Sequence, residues 1–233
     1  MKTKKELRTQ ILQTRDALTE EQRHNYSAEI TKTVLASEEY QNAETMLIYA
    51  SFRSEVNTFP LIEQCLTDGK KVYVPKIEEV VQNDEARTKR MEFYEIFSMD
   101  ELQNGFWGIP EPKAELERRF SMSEGRAHNL SDDKVLILFP GAVFDLGGSR
   151  IGYGGGFYDR YIRKLEQEEI PKGRGNEESE NRIYKIALAF ECQLMEQGMI
   201  PVEPHDIRVD AIVTERGLRK CKQSHNKKRC LIN

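Results

Sequence analysis

Long apolar runs are absent. Nowhere do the 233 residues offer the roughly 18 consecutive apolar residues that a membrane-spanning helix needs. The start, Met1-Lys2-Thr3-Lys4-Lys5-Glu6-Leu7-Arg8, is charged and lacks the apolar stretch of a secretory signal. Cysteine is scarce. Cys65, Cys192, Cys221 and Cys230 show no C-x-x-C spacing, so they read as reduced thiols of a cytoplasmic protein rather than a disulfide framework. Basic charge is in short supply too, with 35 Lys+Arg against 39 Asp+Glu. The segment from Arg216 to Asn233 holds seven of those basic residues and no acidic one, which leaves residues 1–215 strongly acidic. An acidic body lacks the basic face that nucleic acid requires. Neither nucleic acid nor a membrane is therefore expected as a partner, and any anion must be met by a local site. Finally, no Gly-Lys-Ser/Thr occurs, which excludes a P-loop.

What is present is enough for a globular core. The chain is 38% apolar and 9% aromatic, too apolar for wholesale disorder. At this length folding buries roughly 70% of the unfolded surface, so no disulfide is needed for stability.

The first 36 residues predict two helices. Leu7, Ile11, Leu12 and Leu18 fall near helical spacing, and Tyr26, Ile30 and Val34 recur every four residues. Between them Thr19-Glu20-Glu21-Gln22 has the form of a capping box. The period then changes. Short runs rich in β-branched and aromatic residues follow at 46–50, 72–74, 91–97, 135–139, 183–190 and 211–213, most of them separated by helix-like segments such as 59–66 and 158–168. Strands alternating with helices predict an α/β fold with a mostly parallel sheet. Val135–Phe139 is apolar throughout, as a central strand covered on both faces should be. Residues 78–89 and 167–182 read as polar surface insertions with loop character. No internal repeat and no clean linker splits the chain. The expectation is one domain over 1–215 and a basic, flexible tail over 216–233.

Chemistry concentrates in one segment. Six of the 15 glycines lie between Gly147 and Gly156, just after the best strand and just before a helix-like segment. A glycine-rich turn opening a helix aims backbone N–H groups at an anion, at the positive end of the helix dipole. The dinucleotide fingerprint fails, because counting G-x-G-x-x-G from Gly152 puts Phe157 at the third glycine. A flexible linker fails as well, because Arg150, Tyr153, Phe157, Tyr158, Asp159 and Arg160 interleave the glycines. Beside a phosphate cradle, Asp159 is either a helix cap or a ligand for a divalent cation. Asp206 or Asp210, just before the last strand, offers a second carboxylate. From spacing alone Asp206 is an ordinary turn residue.

Residues Asp145 through Arg160 resemble the Asp-x-x-Gly-x-Arg-Leu-Gly-x-Gly-x-Gly-Tyr-Tyr-Asp-Arg pattern of the 5-formyltetrahydrofolate cyclo-ligase (methenyltetrahydrofolate synthetase) family, with Ile151 for Leu and Phe157 for the first Tyr. Three other blocks are similar in family order. They are Lys4-Lys5-Glu6-Leu7-Arg8, Ser54-Glu55-Val56-Asn57-Thr58 and Trp107-Gly108-Ile109-Pro110-Glu111-Pro112. The resemblance implies ATP-dependent cyclisation of 5-formyltetrahydrofolate to 5,10-methenyltetrahydrofolate with release of ADP and phosphate. It implies a three-layer α/β/α sandwich resembling the phosphosugar isomerase and CoA-transferase folds, with an N-terminal helical pair. Lys4, Lys5, Arg8, Arg150, Gly152, Tyr153, Gly154, Gly155, Gly156, Phe157 and Tyr158 would then bind ATP. Arg150 and Tyr158 would be catalytic, and Asp159 and Asp206 would hold Mg²⁺. Phe52, Glu55, Trp107, Tyr153, Phe157 and Tyr158 would meet the folate, with or without a polyglutamate tail. The expected enzyme is a cytoplasmic monomer. Two rival expectations are a phosphosugar isomerase on the same fold and a non-catalytic folate- or nucleotide-binding protein.

Overall fold

A computed structural model describes residues 2–82, 86–121, 134–169 and 183–221. The chain opens with α1 (Lys4–Asp16) and α2 (Glu20–Leu35), each started by a capping box, Thr3 with Glu6 and Thr19 with Gln22. A short α3 (Glu38–Asn42) follows, capped by Ser37. Then come β1 (Thr45–Leu47), α4 (Phe59–Thr67), and the long β2 (Lys71–Gln82) and β3 (Ala86–Ile96). A small hairpin is formed by β4 (Leu102–Asn104) and β5 (Pro110–Pro112). Beyond it lie β6 (Val135–Phe139), β7 (Val143–Asp145), β8 (Arg150–Ile151) and α5 (Phe157–Glu169). The chain continues through β9 (Ile183–Leu188), β10 (Leu194–Met195), β11 (Ala211–Thr214) and β12 (Gly217–Lys220).

Seven strands form the main sheet in the order β12-β11-β9-β6-β1-β2-β3. The five inner strands run parallel, and β3 and β12 close the two edges antiparallel. All five residues of β6 are buried, because both its faces are covered. On one face Leu136 and Leu138 join a core with Ile30 and Val34 of α2, Tyr40 of α3, and Leu61, Ile62 and Cys65 of α4. On the other, Ile137 and Phe139 meet Tyr161, Ile162 and Leu165 of α5. This is the expected α/β architecture, with helices on both faces of a mostly parallel sheet. Burying each such aliphatic or aromatic side chain contributes about 1.5–3 kcal/mol.

Two features position the site. The chain leaves β1 toward β2 on one side and leaves β6 toward β9 on the other, so the sheet's winding reverses between β1 and β6. Loops after these strands open onto the crevice where α/β folds place ligands. The second feature is a three-stranded sheet, β10-β7-β8, on which α1 docks through Leu7 against Val143 and Ile151. That packing carries the basic face of α1 to the end of β8.

The structure corrects three expectations. Residues 78–89 are not a loop. Apart from 83–85, which lie outside the described residues, they are the two arms of the β2–β3 hairpin, with Glu78 opposite Arg90 and Glu79 opposite Lys89. The segment is polar because this part of the hairpin extends beyond the core, so no apolar alternation is required of it. The expected flexible tail begins with a strand, since Gly217–Lys220 pairs with β11 and Arg219 holds Glu191 at 2.8 Å. Residues 222–233 lie outside the described residues. Of the second expected insertion, 167–169 close α5, and 170–182 lie outside the described residues. Among the described residues no helix is long and apolar enough to cross a membrane.

Candidate active site

A cavity of about 530 Å³ lies in the crevice. That volume falls in the range of small-molecule sites. Its walls come from the loop after β1 (Tyr49, Phe52, Glu55), the β2–β3 hairpin (Ile77, Met91), the turn of the β4–β5 hairpin (Trp107, Ile109), and the glycine loop with the start of α5 (Gly152, Tyr153, Phe157, Tyr158, Asp159).

At one end sits a charged rim. Arg150 leaves β8 into the cavity with its side chain only 3% exposed. Its Nη2 donates to Asp159 Oδ1 at 2.8 Å, and the guanidinium lies 5.0 Å from the Phe139 ring centroid and 5.8 Å from that of Tyr158. Burial pulls the Arg150 guanidinium below its ordinary value, opposed by the negative charge of Asp159. Two buried polar atoms here lack a hydrogen-bond partner among the described residues, Arg150 Nε and the Tyr158 hydroxyl. Buried polar groups are ordinarily paired, so these two are open to a ligand or water atom. Arg8 of α1 donates from Nε to the Gly152 carbonyl at 2.8 Å, which fixes α1 to the glycine loop. Gly154 adopts φ +101°, a conformation that side-chain-bearing residues rarely take.

The two aspartates come close through the backbone. Asp159 Oδ1 accepts from the Ile207 N–H at 3.1 Å, which seats the residue after Asp206 against it. Asp206 Oδ2 accepts from Lys4 Nζ and from the Glu203 N–H, both at 2.7 Å. Burial would raise the Asp206 pKa, but Lys4 and the Glu203 N–H outweigh it and hold the carboxyl below its ordinary range. The same ion pair lifts Lys4 against its own partial burial. These bonds occupy Asp159 Oδ1 and Asp206 Oδ2, and Asp206 Oδ1 lies 4.0 Å from His205 Nε2. Asp206 also shares a compact, mostly exposed group with Glu203 and His205.

At the other end the cavity is aromatic. Phe52, Trp107, Tyr153 and Phe157 line it, and Trp107 is 63% exposed. Beneath them lies a polar chain. The Tyr153 hydroxyl hydrogen-bonds the Glu55 carboxyl and accepts from Arg15 Nη1 at 2.7 Å. Glu55 Oε2 also accepts from the Phe52 N–H at 2.9 Å. Burial nonetheless pushes the Glu55 carboxyl above its ordinary range.

The structure thus brings together Phe52, Glu55, Trp107, Arg150, Gly152, Tyr153, Gly155, Gly156, Phe157, Tyr158 and Asp159 around one cavity. Arg8 and Gly154 join at the rim, and Lys4 is drawn to Asp206. Lys5 is exposed and does not line this cavity. Sequence reasoning passed over Arg15 and Glu111, both buried and both lining the cavity. A signal for Arg15 exists. Lys4, Arg8 and Arg15 fall within about 40° of one another on a helical wheel, forming a single basic face on α1.

Comparison with known proteins gives one answer. The profile of the 5-formyltetrahydrofolate cyclo-ligase family matches residues 1–215. The Mus musculus 5-formyltetrahydrofolate cyclo-ligase is 30% identical over 215 residues, covering 91% of this chain and 93% of that one. The Escherichia coli K12 5-formyltetrahydrofolate cyclo-ligase is 28% identical over 204 residues, covering 88% and 96%. The NMR structure of Aquifex aeolicus 5,10-methenyltetrahydrofolate synthetase superposes with a TM-score of 0.68 at 29% identity, covering 96% of this chain and 98% of that one.

Proposed function

The chain belongs to the 5-formyltetrahydrofolate cyclo-ligase family, and from that premise we propose how its own residues divide the work. The reaction is the ATP-dependent cyclisation of 5-formyltetrahydrofolate to 5,10-methenyltetrahydrofolate. The observation that carries the division of labour is the pair of partnerless buried atoms, Arg150 Nε and the Tyr158 hydroxyl, where the glycine loop meets the aromatic cavity. Phosphates belong on the glycine side and the folate on the aromatic side. The reacting atoms meet at Arg150.

An amide-like formyl oxygen is a poor leaving group. In the proposed sequence it attacks the γ-phosphorus of ATP, and the bond to ADP breaks. N10 then attacks the activated carbon and loses its proton, and the phosphorylated oxygen departs as inorganic phosphate. Phosphoryl transfer needs positioning and charge neutralisation more than a protein nucleophile. Arg150 supplies a buried positive charge, and the loop amides and Arg8 align the phosphates. Tyr158 donates its free hydroxyl. Glu55 hydrogen-bonds the pterin, while Phe52, Trp107, Tyr153 and Phe157 cover its faces.

The donor set near the rim fits a hard dication such as Mg²⁺. Two neighbouring carboxylates each keep an oxygen outside the pairs with Arg150 and Lys4. Asp159 and Asp206 would hold the ion, which offsets phosphate charge when bound. The free thiols Cys65, Cys192 and Cys221 suit a cytosolic protein, and a monomer is the proposed working form.

The test is a near-ultraviolet absorbance assay for methenyltetrahydrofolate, run with and without ATP and Mg²⁺, with ADP measured in parallel. Product formed one-for-one with ADP, and only in the presence of both, is the expected result. Folate binding without turnover would replace the enzyme reading with a carrier reading.

A further inference from the structure

The turn that presents Trp107 is held in a conformation its own sequence does not favour. Trp107 has φ +58°, one of only two non-glycine residues among those described with positive φ. A bulky side chain there costs about 1–2 kcal/mol. The Trp107 side chain is mostly exposed, so little burial offsets that cost. Something else must hold the turn.

Glu111 is in the right place. It sits on β5 opposite Gln103 of β4, is 6% exposed, and lies under the turn. Its Oε1 accepts from the Ile77 N–H of β2 at 3.3 Å, and its carboxyl also accepts from the Phe106 backbone N–H. One side chain therefore ties the residue before Trp107 to the wall of the main sheet. The fit is close: a Cβ on Gly105 would collide with the Glu111 carboxyl. The turn closes on itself through Gly105 N–H to the Ile109 carbonyl at 2.8 Å. Phe106 meets Trp107 edge-on at 4.8 Å, and Lys89 of β3 sits 3.7 Å from the Phe106 centroid and 5.5 Å from that of Trp107. The indole is thus braced from below by Glu111 and from the side by Phe106 and Lys89.

We propose that Glu111 is a positioning residue that acts through Trp107. By fixing the strained turn to β2, it holds the indole over the cavity mouth, ready to cover a flat ring. The proposal rests on the folate reading for its effect on substrate and is independent of it for its effect on the indole. A preset aromatic cover lowers the ordering cost of binding, so its loss falls on affinity rather than on the chemical step.

Trp107 is the single tryptophan of the chain, so its fluorescence reports on this turn alone. The variants are Glu111→Gln, which keeps one acceptor oxygen, and Glu111→Ala, which keeps none. In the free protein, Glu111→Ala is expected to lower tryptophan anisotropy, with Glu111→Gln intermediate. The folate KM should rise roughly 5- to 20-fold in Glu111→Ala, with kcat and the ATP KM within threefold of wild type. In a Trp107→Ala background, Glu111→Ala should add less than twofold, because the group it acts through is gone. Unchanged anisotropy in both variants would overturn the proposal, as would a full, multiplicative loss in the Trp107→Ala background. If Glu111→Ala does not fold, as read by circular dichroism, Glu111→Gln decides by the same two criteria. A wild-type protein that neither binds nor converts the folate would end the functional reading, and anisotropy of the free protein would still decide the role of Glu111.

Discussion

The two ends of the cavity treat carboxylates in opposite ways. At the rim Asp206 is held below its ordinary range by Lys4, and Asp159 is paired with Arg150. Under the aromatic wall, Glu55 and Glu111 are pushed above theirs by burial that no neighbouring cation fully offsets. The rim is built from charge and backbone amides, and it suits a ligand that brings its own negative charge. The wall is built from rings over buried hydrogen bonds, and it suits a flat neutral heterocycle. In the proposed function the site thus separates charge neutralisation from ring recognition, with Arg150 where the two meet.

The largest effect should come from removing that junction. Arg150→Ala is expected to lower kcat by roughly 10²–10³, the usual loss for a group that stabilises charge in the transition state. A loss under tenfold in the absorbance assay, with the fold intact by circular dichroism, would move the reacting centre elsewhere. Next comes the rim alone. Gly154→Ala forces a side chain into φ +101°, a strain of about 1–2 kcal/mol. The ATP KM should rise roughly 5- to 30-fold while the folate KM stays put. A rise in the folate KM instead would break the division between the two ends.

Opposite pKa shifts predict opposite pH behaviour in denaturant unfolding. The Asp206 carboxyl is depressed in the folded protein, so its stabilisation is full above its ordinary value of 3.8 and is lost as pH falls through the folded value. The Glu55 carboxyl is raised, so it adds a penalty that is absent below 4.5 and grows as pH rises through the folded value. Asp206→Asn should therefore lose stability relative to wild type at neutral pH, and the gap should close in acid. Glu55→Gln should gain relative to wild type as pH rises from acid to neutral. Parallel profiles for the two variants would erase the distinction. The smallest expected effect is at Lys5. Lys5→Ala should leave the ATP KM within twofold, whereas Arg8→Ala, which releases the glycine loop from α1, should raise it several-fold. A matching rise at Lys5 would place that exposed lysine on the phosphates after all.

By itself the sequence determined the periodic and the local. Repeats of 3.6 set α1 and α2, with the Thr19–Gln22 box marking the start of α2. The uninterrupted apolar run at 135–139 became the central strand β6. The glycine–aromatic segment 147–160 lines the cavity as one stretch, and the phosphate cradle proposed for it would be made of consecutive backbone amides, which consecutive residues encode. Tertiary structure decided the rest. Glu79 and Lys89 face each other across a hairpin although both read as loop, since an exposed strand needs no apolar alternation. Gly217–Lys220 became an edge strand because β11 offered it an unpaired backbone. Arg15, Tyr153 and Glu55 form one polar chain only after α1 docks on the small sheet. Glu111 gained its partner on β2 only when the β4–β5 hairpin folded over that strand. Burial and long-range hydrogen bonds depend on which segments meet, and no window of sequence contains that information.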